Sequence, residues 1–177
     1  LYALSHGNLS GLELISVTDG KEKSFRLPSI NVKKGDYITV HMRTIVSDTI
    51  DGEGMINELG DDLTLSTHTD SNDLARDLWS ENTKACFADS DIILLRNINN
   101  EEISDCLVYA KSNLVSWNET LQKAAMEIEK LGLWKDSSGE NSCSINSAVS
   151  SDNISSSACT RSFSRQNISE IEDAYDL

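Results

Sequence analysis

The 177-residue chain contains no apolar run long enough to span a membrane and no stretch patterned like a signal peptide. It is short of basic residues: 15 Lys and Arg stand against 29 Asp and Glu, for a formal charge of -14. That balance opposes an extended surface for nucleic acid or anionic lipid and leaves basic partners open. Metal spacing is absent as well. Cys86, Cys106, Cys143 and Cys159 lie too far apart for paired C-x-x-C zinc ligation. There is no H-E-x-x-H pair and no G-x-S-x-G elbow, and His6, His41 and His68 have no Ser or Cys in a recognisable nucleophile context. Each histidine therefore reads as structural or solvated. No internal repeat occurs. The chain begins at Leu1 rather than Met, as a processed or trimmed product would, and a lipid anchor on a removed N-terminus is compatible with that.

What is present is mainly β pattern. In Tyr37 to Arg43, the residues Ile38, Val40 and Met42 alternate with Tyr37, Thr39, His41 and Arg43, which predicts a half-buried antiparallel strand with His41 facing outward. Ser24 to Ile30 is extended, and Lys33-Lys34-Gly35-Asp36 is a turn. Asp91 to Arg96 is a β-branched run bounded by charge and predicts a strand that is apolar on both faces. After the Asn-rich turn from Asn97 to Glu102, alternation resumes from Ile103 to Tyr109, so the two runs form a hairpin expected at the centre of a sheet. Cys106 packs there as a small apolar side chain.

One helix is predicted over about 117–131. Trp117, Leu121, Ala124, Ile128 and Leu131 draw a single stripe, Ser116 and Glu119 match a capping box, and Gly132 suits the residue past the helix end. Glu119 and Lys123 can pair across one turn. The stripe reads as packed on the domain's own sheet. A short helical turn is also expected through Leu74 to Trp79, begun by Ser71 or Asp73. From Ser137 to Ser164 the chain carries 12 serines, the composition of a flexible surface loop, and Ala158 to Ser164 returns as a strand. Cys143 and Cys159 flank that loop and would close it in an oxidising compartment; at least two of the four cysteines are expected to remain thiols.

Chemistry-bearing residues are sparse. Asp51, Glu53, Asp61 and Asp62 could offer oxygen ligands to Ca²⁺, which takes roughly six to eight, although their spacing is not that of an EF-hand loop and a solvated acidic loop is the simpler reading. Asp61 and Asp62 are poorly placed as an acid–base pair, because neighbours on a strand point to opposite faces.

The order of segments resembles the lamin-tail domain, an immunoglobulin-like β-sandwich. The resemblance is carried by Leu1-Tyr2 with Gly7 to Leu14, by Ile30 to Val40, by Asp89 to Leu95 followed by Ile103 to Val108, and by Thr160 to Arg165, and it covers most of the chain. Gly60-Asp61-Asp62-Leu63 and Ala75 to Trp79 are similar to elements of bacterial envelope lipoproteins that carry this domain. The resemblance implies a single domain over 1–177, an antiparallel β-sandwich lacking the family's first strand, with residues 116–158 inserted as a helix and a Ser-rich loop. It further implies a non-catalytic interaction or adhesion module, enveloped-anchored or secreted, with an unknown protein or glycan partner and no cofactor. A Ca²⁺- or glycan-binding domain using the acidic loops is the alternative.

Overall fold

The computed structural model describes residues 1–42, 46–47, 50–51, 54–81 and 88–152. Its strands are β1 (Gly7–Asn8), β2 (Leu12–Ser16), β3 (Gly20–Arg26), β4 (Asn31–Val32), β5 (Ile38–His41), β6 (Val46–Ser47), β7 (Ile50–Asp51), β8 (Arg76–Trp79), β9 (Asp91–Asn97), β10 (Ile103–Ala110) and β11 (Val149–Ser150), with the helix α1 (Glu119–Leu131) and a 3₁₀ turn at Ile145–Ser147. Among the described residues the protein is thus mainly β with a single α-helix. No helix of these residues is long and apolar enough to cross a membrane. The expected strand at Ala158 to Ser164, the segment Thr160 to Arg165, and Cys86 and Cys159 lie outside the described residues.

By their contacts the residues group into two compact units, Leu1–Leu12 with Phe25–Cys86 and Glu13–Ser24 with Phe87–Leu177. The first unit is made of short strand pairs. β1 pairs antiparallel with β4, β6 antiparallel with β7, and β5 parallel with β8 in the register Ile38↔Arg76, Thr39↔Asp77, Val40↔Leu78 and His41↔Trp79. The parallel pairing corrects the antiparallel expectation for the Tyr37 segment. Alternation reports which face is buried and is blind to the direction of the neighbouring strand. Leu74 to Trp79 is corrected too, from a helical turn to a strand. Its four residues from Arg76 are all buried, and β-sheet pairing overrides a local helical reading of so short a run.

The second unit is built on a five-stranded sheet in the order β11-β10-β9-β2-β3. The predicted hairpin is there, with β9 and β10 antiparallel in the register Ile92↔Val108 and Leu94↔Cys106 and an irregularity between Ile103 and Asp105. β11 joins parallel to β10, so the sheets are mixed rather than wholly antiparallel. Helix α1 buries Leu121, Ala125 and Ile128 in a cluster with Ile92, Leu94, Val108 and Trp134, and Trp117 and Ala124 pack against it from the side. Leu131, the last residue of the expected stripe, is instead 51% exposed. The cap is Asn118, whose side chain accepts the Leu121 N–H, rather than Ser116. Gly132 does end the helix in the left-handed conformation, with φ 69°.

The first half of the serine-rich segment is packed, which corrects the flexible-loop expectation over its described residues. Ser147 and Ser151 are buried, the Ser147 hydroxyl donates to the Ser142 and Ser144 carbonyls, the Ser147 carbonyl accepts from Trp134 Nε1 at 2.9 Å, and the Ser151 hydroxyl donates to the Asp89 carbonyl. Serines that find backbone partners can be buried where a composition count sees only polarity.

Candidate functional site

Among the described residues, a dense arrangement of chemistry-bearing side chains lies in the first unit, around β8. The parallel register sets His41 beside Trp79. Their rings stack with centroids 3.6 Å apart and 6° between planes. His41 Nε2 donates to Asp77 Oδ1 at 2.7 Å; a carboxylate only accepts, so this nitrogen carries the proton. Asp77 Oδ2 accepts the Asn72 N–H at 2.7 Å. His68 meets the Trp79 ring edge-on, with centroids 5.1 Å apart, and Trp79 Nε1 donates to Ser66 Oγ at 2.9 Å.

The same cluster holds a buried carboxylate. Glu58 has no exposed surface, its Oε1 accepts the Ser66 N–H at 3.2 Å, and its Oε2 accepts the Asp77 N–H at 2.7 Å. Its own backbone N–H donates to the Asp77 carbonyl at 3.1 Å, and Asn57 Oδ1 accepts the Trp79 N–H. Arg76 is buried beside it and donates through Nη1 to the carbonyls of Glu58 and Gly60. The loop between Glu58 and Ser66 is therefore tied at both ends to one short strand. Gly54 closes the same layer: its carbonyl accepts from Thr67 N, His68 N and Ser66 Oγ, and at φ 82° a Cβ there would stand 2.6 Å from Thr67 Oγ1 and 2.8 Å from His68 N.

Chemically, an Asp-oriented histidine is half of a general-base arrangement. The other half is directed elsewhere, because the Ser66 hydroxyl donates to the Gly54 carbonyl and accepts from Trp79. The His41 side chain is 13% exposed and that of Asp77 1%, so the pair is enclosed by its own domain. The fold uses these groups to satisfy backbone donors and acceptors that a short strand and a long loop would otherwise bury unpaired.

The acidic residues singled out from sequence are not drawn into that cluster. Asp61 and Asp62 are exposed in the loop, where the Thr64 N–H and hydroxyl bind Asp62 Oδ1 at 3.0 and 2.8 Å and hold its carboxyl below the usual carboxylate range. Asp51 is in β7, and Glu53 lies outside the described residues. Among the described residues no three His, Cys, Asp or Glu side chains come together as a metal site. His41 is half-buried rather than outward-facing, and its ring is held between the Asp77 carboxylate and the Trp79 indole. Glu58, Arg76 and Asp77 were missed as a set. In sequence they look like solvated charge; the pairing of Arg76 to Trp79 with Ile38 to His41, and the bonds of Glu58 to Asp77, bring them inside.

The second unit has its own buried acid. Asp91 opens β9 and accepts from Ser16 Oγ at 2.5 Å, Thr18 N at 3.0 Å and Thr18 Oγ1 at 2.9 Å, so it pins the turn after β2 to the sheet. Burial, with the Asp91, Asp19 and Asp89 charges behind it, raises the Tyr109 phenol above its ordinary value. Cys106 and Cys143 are buried thiols here, and burial followed by the Glu129 charge pushes Cys143 up to about 12.

Fold and site together define a mainly β protein whose buried polar cluster ties a long loop to one short strand. Residues 1–176 match the model of a family described as "protein second domain", and the chain belongs to that family. No curated protein and no solved structure matches the chain.

Proposed function

We propose that the protein is a non-catalytic interaction module, anchored in a bacterial envelope or secreted, which recognises a protein partner through the loop around Leu59 to Leu65. One observation carries the reading. Glu58 and Arg76 hold this loop by its backbone, while two of its three leucines stay in water: Leu59 is 58% exposed and Leu65 41%, and Ile56 just before the loop is exposed as well. Ordering a loop from below and leaving leucines outward is wasteful for stability and suits recognition, since the entropy of ordering is already spent before a partner arrives. Asp61 and Asp62 are exposed in the same loop, so the partner surface this reading calls for is apolar with basic residues at its rim.

The wider assignment to an immunoglobulin-like sandwich of the lamin-tail kind rests on the sequence segments. It is supported by the mainly β content and by the β9–β10 hairpin, while the parallel β5–β8 and β10–β11 pairings depart from a purely antiparallel sandwich. The envelope location rests on the same resemblance.

The test is a pull-down from envelope and host-surface extracts with the immobilised full chain, at low and moderate salt, with and without Ca²⁺. A saturable protein partner lost with the double substitution Leu59→Ser and Leu65→Ser, at unchanged melting temperature, is the expected result. Retention that ignores both leucines sinks the loop assignment. Retention that requires Ca²⁺ transfers the function to the acidic residues.

A further inference from the structure

A cavity of about 330 Å³ opens in the second unit, where the segment leading into α1 meets the 3₁₀ turn at Ile145–Ser147. Leu114, Ser116 and Trp117 come from the first, Ile145 and Asn146 from the second, and Gln122 from the first turns of α1. Its walls are fixed before any ligand arrives. Trp117 Nε1 donates to the Cys143 carbonyl at 3.3 Å, Trp134 Nε1 holds the Ser147 carbonyl at 2.9 Å, and the Cys143 N–H donates to Glu129 Oε2 at 3.3 Å. The two wall segments are thereby tied to one another and to the helix. A volume at the small end of ligand pockets admits a single ring with its substituents.

The lining has an unusual composition for this chain. In a protein of net charge -14, every residue around the cavity is neutral. The indole of Trp117 is half-buried, with its N–H already used, so what it offers is its ring. Leu114 and Ile145 add apolar surface. The Ser116 hydroxyl and the Gln122 and Asn146 amides line the cavity, and each can donate as well as accept. Cations find no carboxylate in the lining, and anions find no Lys or Arg. The Glu119 carboxylate in the first turn of α1 further opposes an anion, and its partner Lys123 is occupied with it at 2.7 Å.

We propose that this cavity binds a neutral sugar ring, the terminal or internal residue of an uncharged glycan. The negative face of an indole attracts the polarised C–H groups on the apolar face of a pyranose, while amides and a hydroxyl that both donate and accept match hydroxyls that do the same. A purely aliphatic ligand would leave the three polar groups desolvated and unpaired, at a cost that disfavours it. The site lies in a different compact unit from the Leu59 loop and stands or falls separately from the reading given to that loop.

The experiment is isothermal titration of the full chain with the methyl glycosides of glucose, galactose, mannose and N-acetylglucosamine, alongside glucuronic acid and glucosamine as charged analogues. At least one neutral glycoside is expected to bind saturably, with a dissociation constant around the millimolar scale that single-ring contacts give. Gln122→Ala and Asn146→Ala, both at exposed positions, are each expected to weaken it about three- to tenfold with the melting temperature unchanged. Trp117 also packs against the core, so these two variants carry the test. Absence of saturable binding by every neutral glycoside overturns the proposal. So does binding indifferent to both variants, or a preference for either charged analogue.

Discussion

Glu58 is the residue on which the first unit's loop depends most directly. It receives two backbone N–H groups, from Ser66 and Asp77, with no exposed surface of its own. Glu58→Ala leaves both donors buried and unpaired, and a loss of about 2–4 kcal/mol in denaturant unfolding is expected. An equal effect from Asp62→Ala would contradict this account, because Asp62 holds only its local turn. Cys143 makes the matching statement for the second unit. Its folded pKa of about 12 lies above the ordinary 9.0, so its contribution is intact below about 9 and is lost as pH rises toward 12. Tyr109, also raised, adds to the loss on the same alkaline limb. Denaturant melts from pH ~8 to ~11 are expected to show falling stability, with a shallower slope in Cys143→Ala. A slope identical in the two proteins would remove Cys143 from the account.

At the scale of elements, α1 separates what periodicity reports from what it leaves open. Ile128 is fully buried and Leu131 is not, though both belong to one predicted stripe. Ile128→Ala is expected to cost about 2–4 kcal/mol and Leu131→Ala under about 1 kcal/mol, measured by chemical unfolding. The helix N-terminus offers a cleaner discrimination: Asn118→Ala should cost about 1 kcal/mol and Ser116→Ala close to nothing, and the reverse order would restore the Ser116 cap. Sequence made α1, the β9–β10 hairpin and the Ile38–His41 strand legible, because each is announced by periodicity within one local window. It hid β8, since Arg-Asp-Leu-Trp has no period of its own and becomes a strand only through its distant partner in the register Ile38↔Arg76 to His41↔Trp79. The candidate site was hidden for the same reason. A buried Glu, Arg and Asp cannot be told from a solvated trio until the distant segment that shields them is known. The serine-rich stretch was misread from the opposite side, because the Trp134 indole that anchors Ser147 lies outside it.

For the molecule as a whole, the acidic excess bears on how the proposed partner would be met. Association with a basic surface is expected to slow as salt rises, with the on-rate from stopped-flow or surface binding falling between low and physiological ionic strength while dissociation changes less. A salt-independent on-rate would mean that the -14 charge plays no part in recognition. The parallel pair in the first unit bears on the molecule's dealings with its own copies. β8 bonds to β5 along one side, and along the other its outward N–H groups, those of Asp77 and Trp79, are taken by the side chains of Glu58 and Asn57. A strand with unspent donors invites a second chain to add itself, so these two side chains occupy the places a neighbouring copy would fill, and the Asn57 and Glu58 pair guards solubility as well as shape.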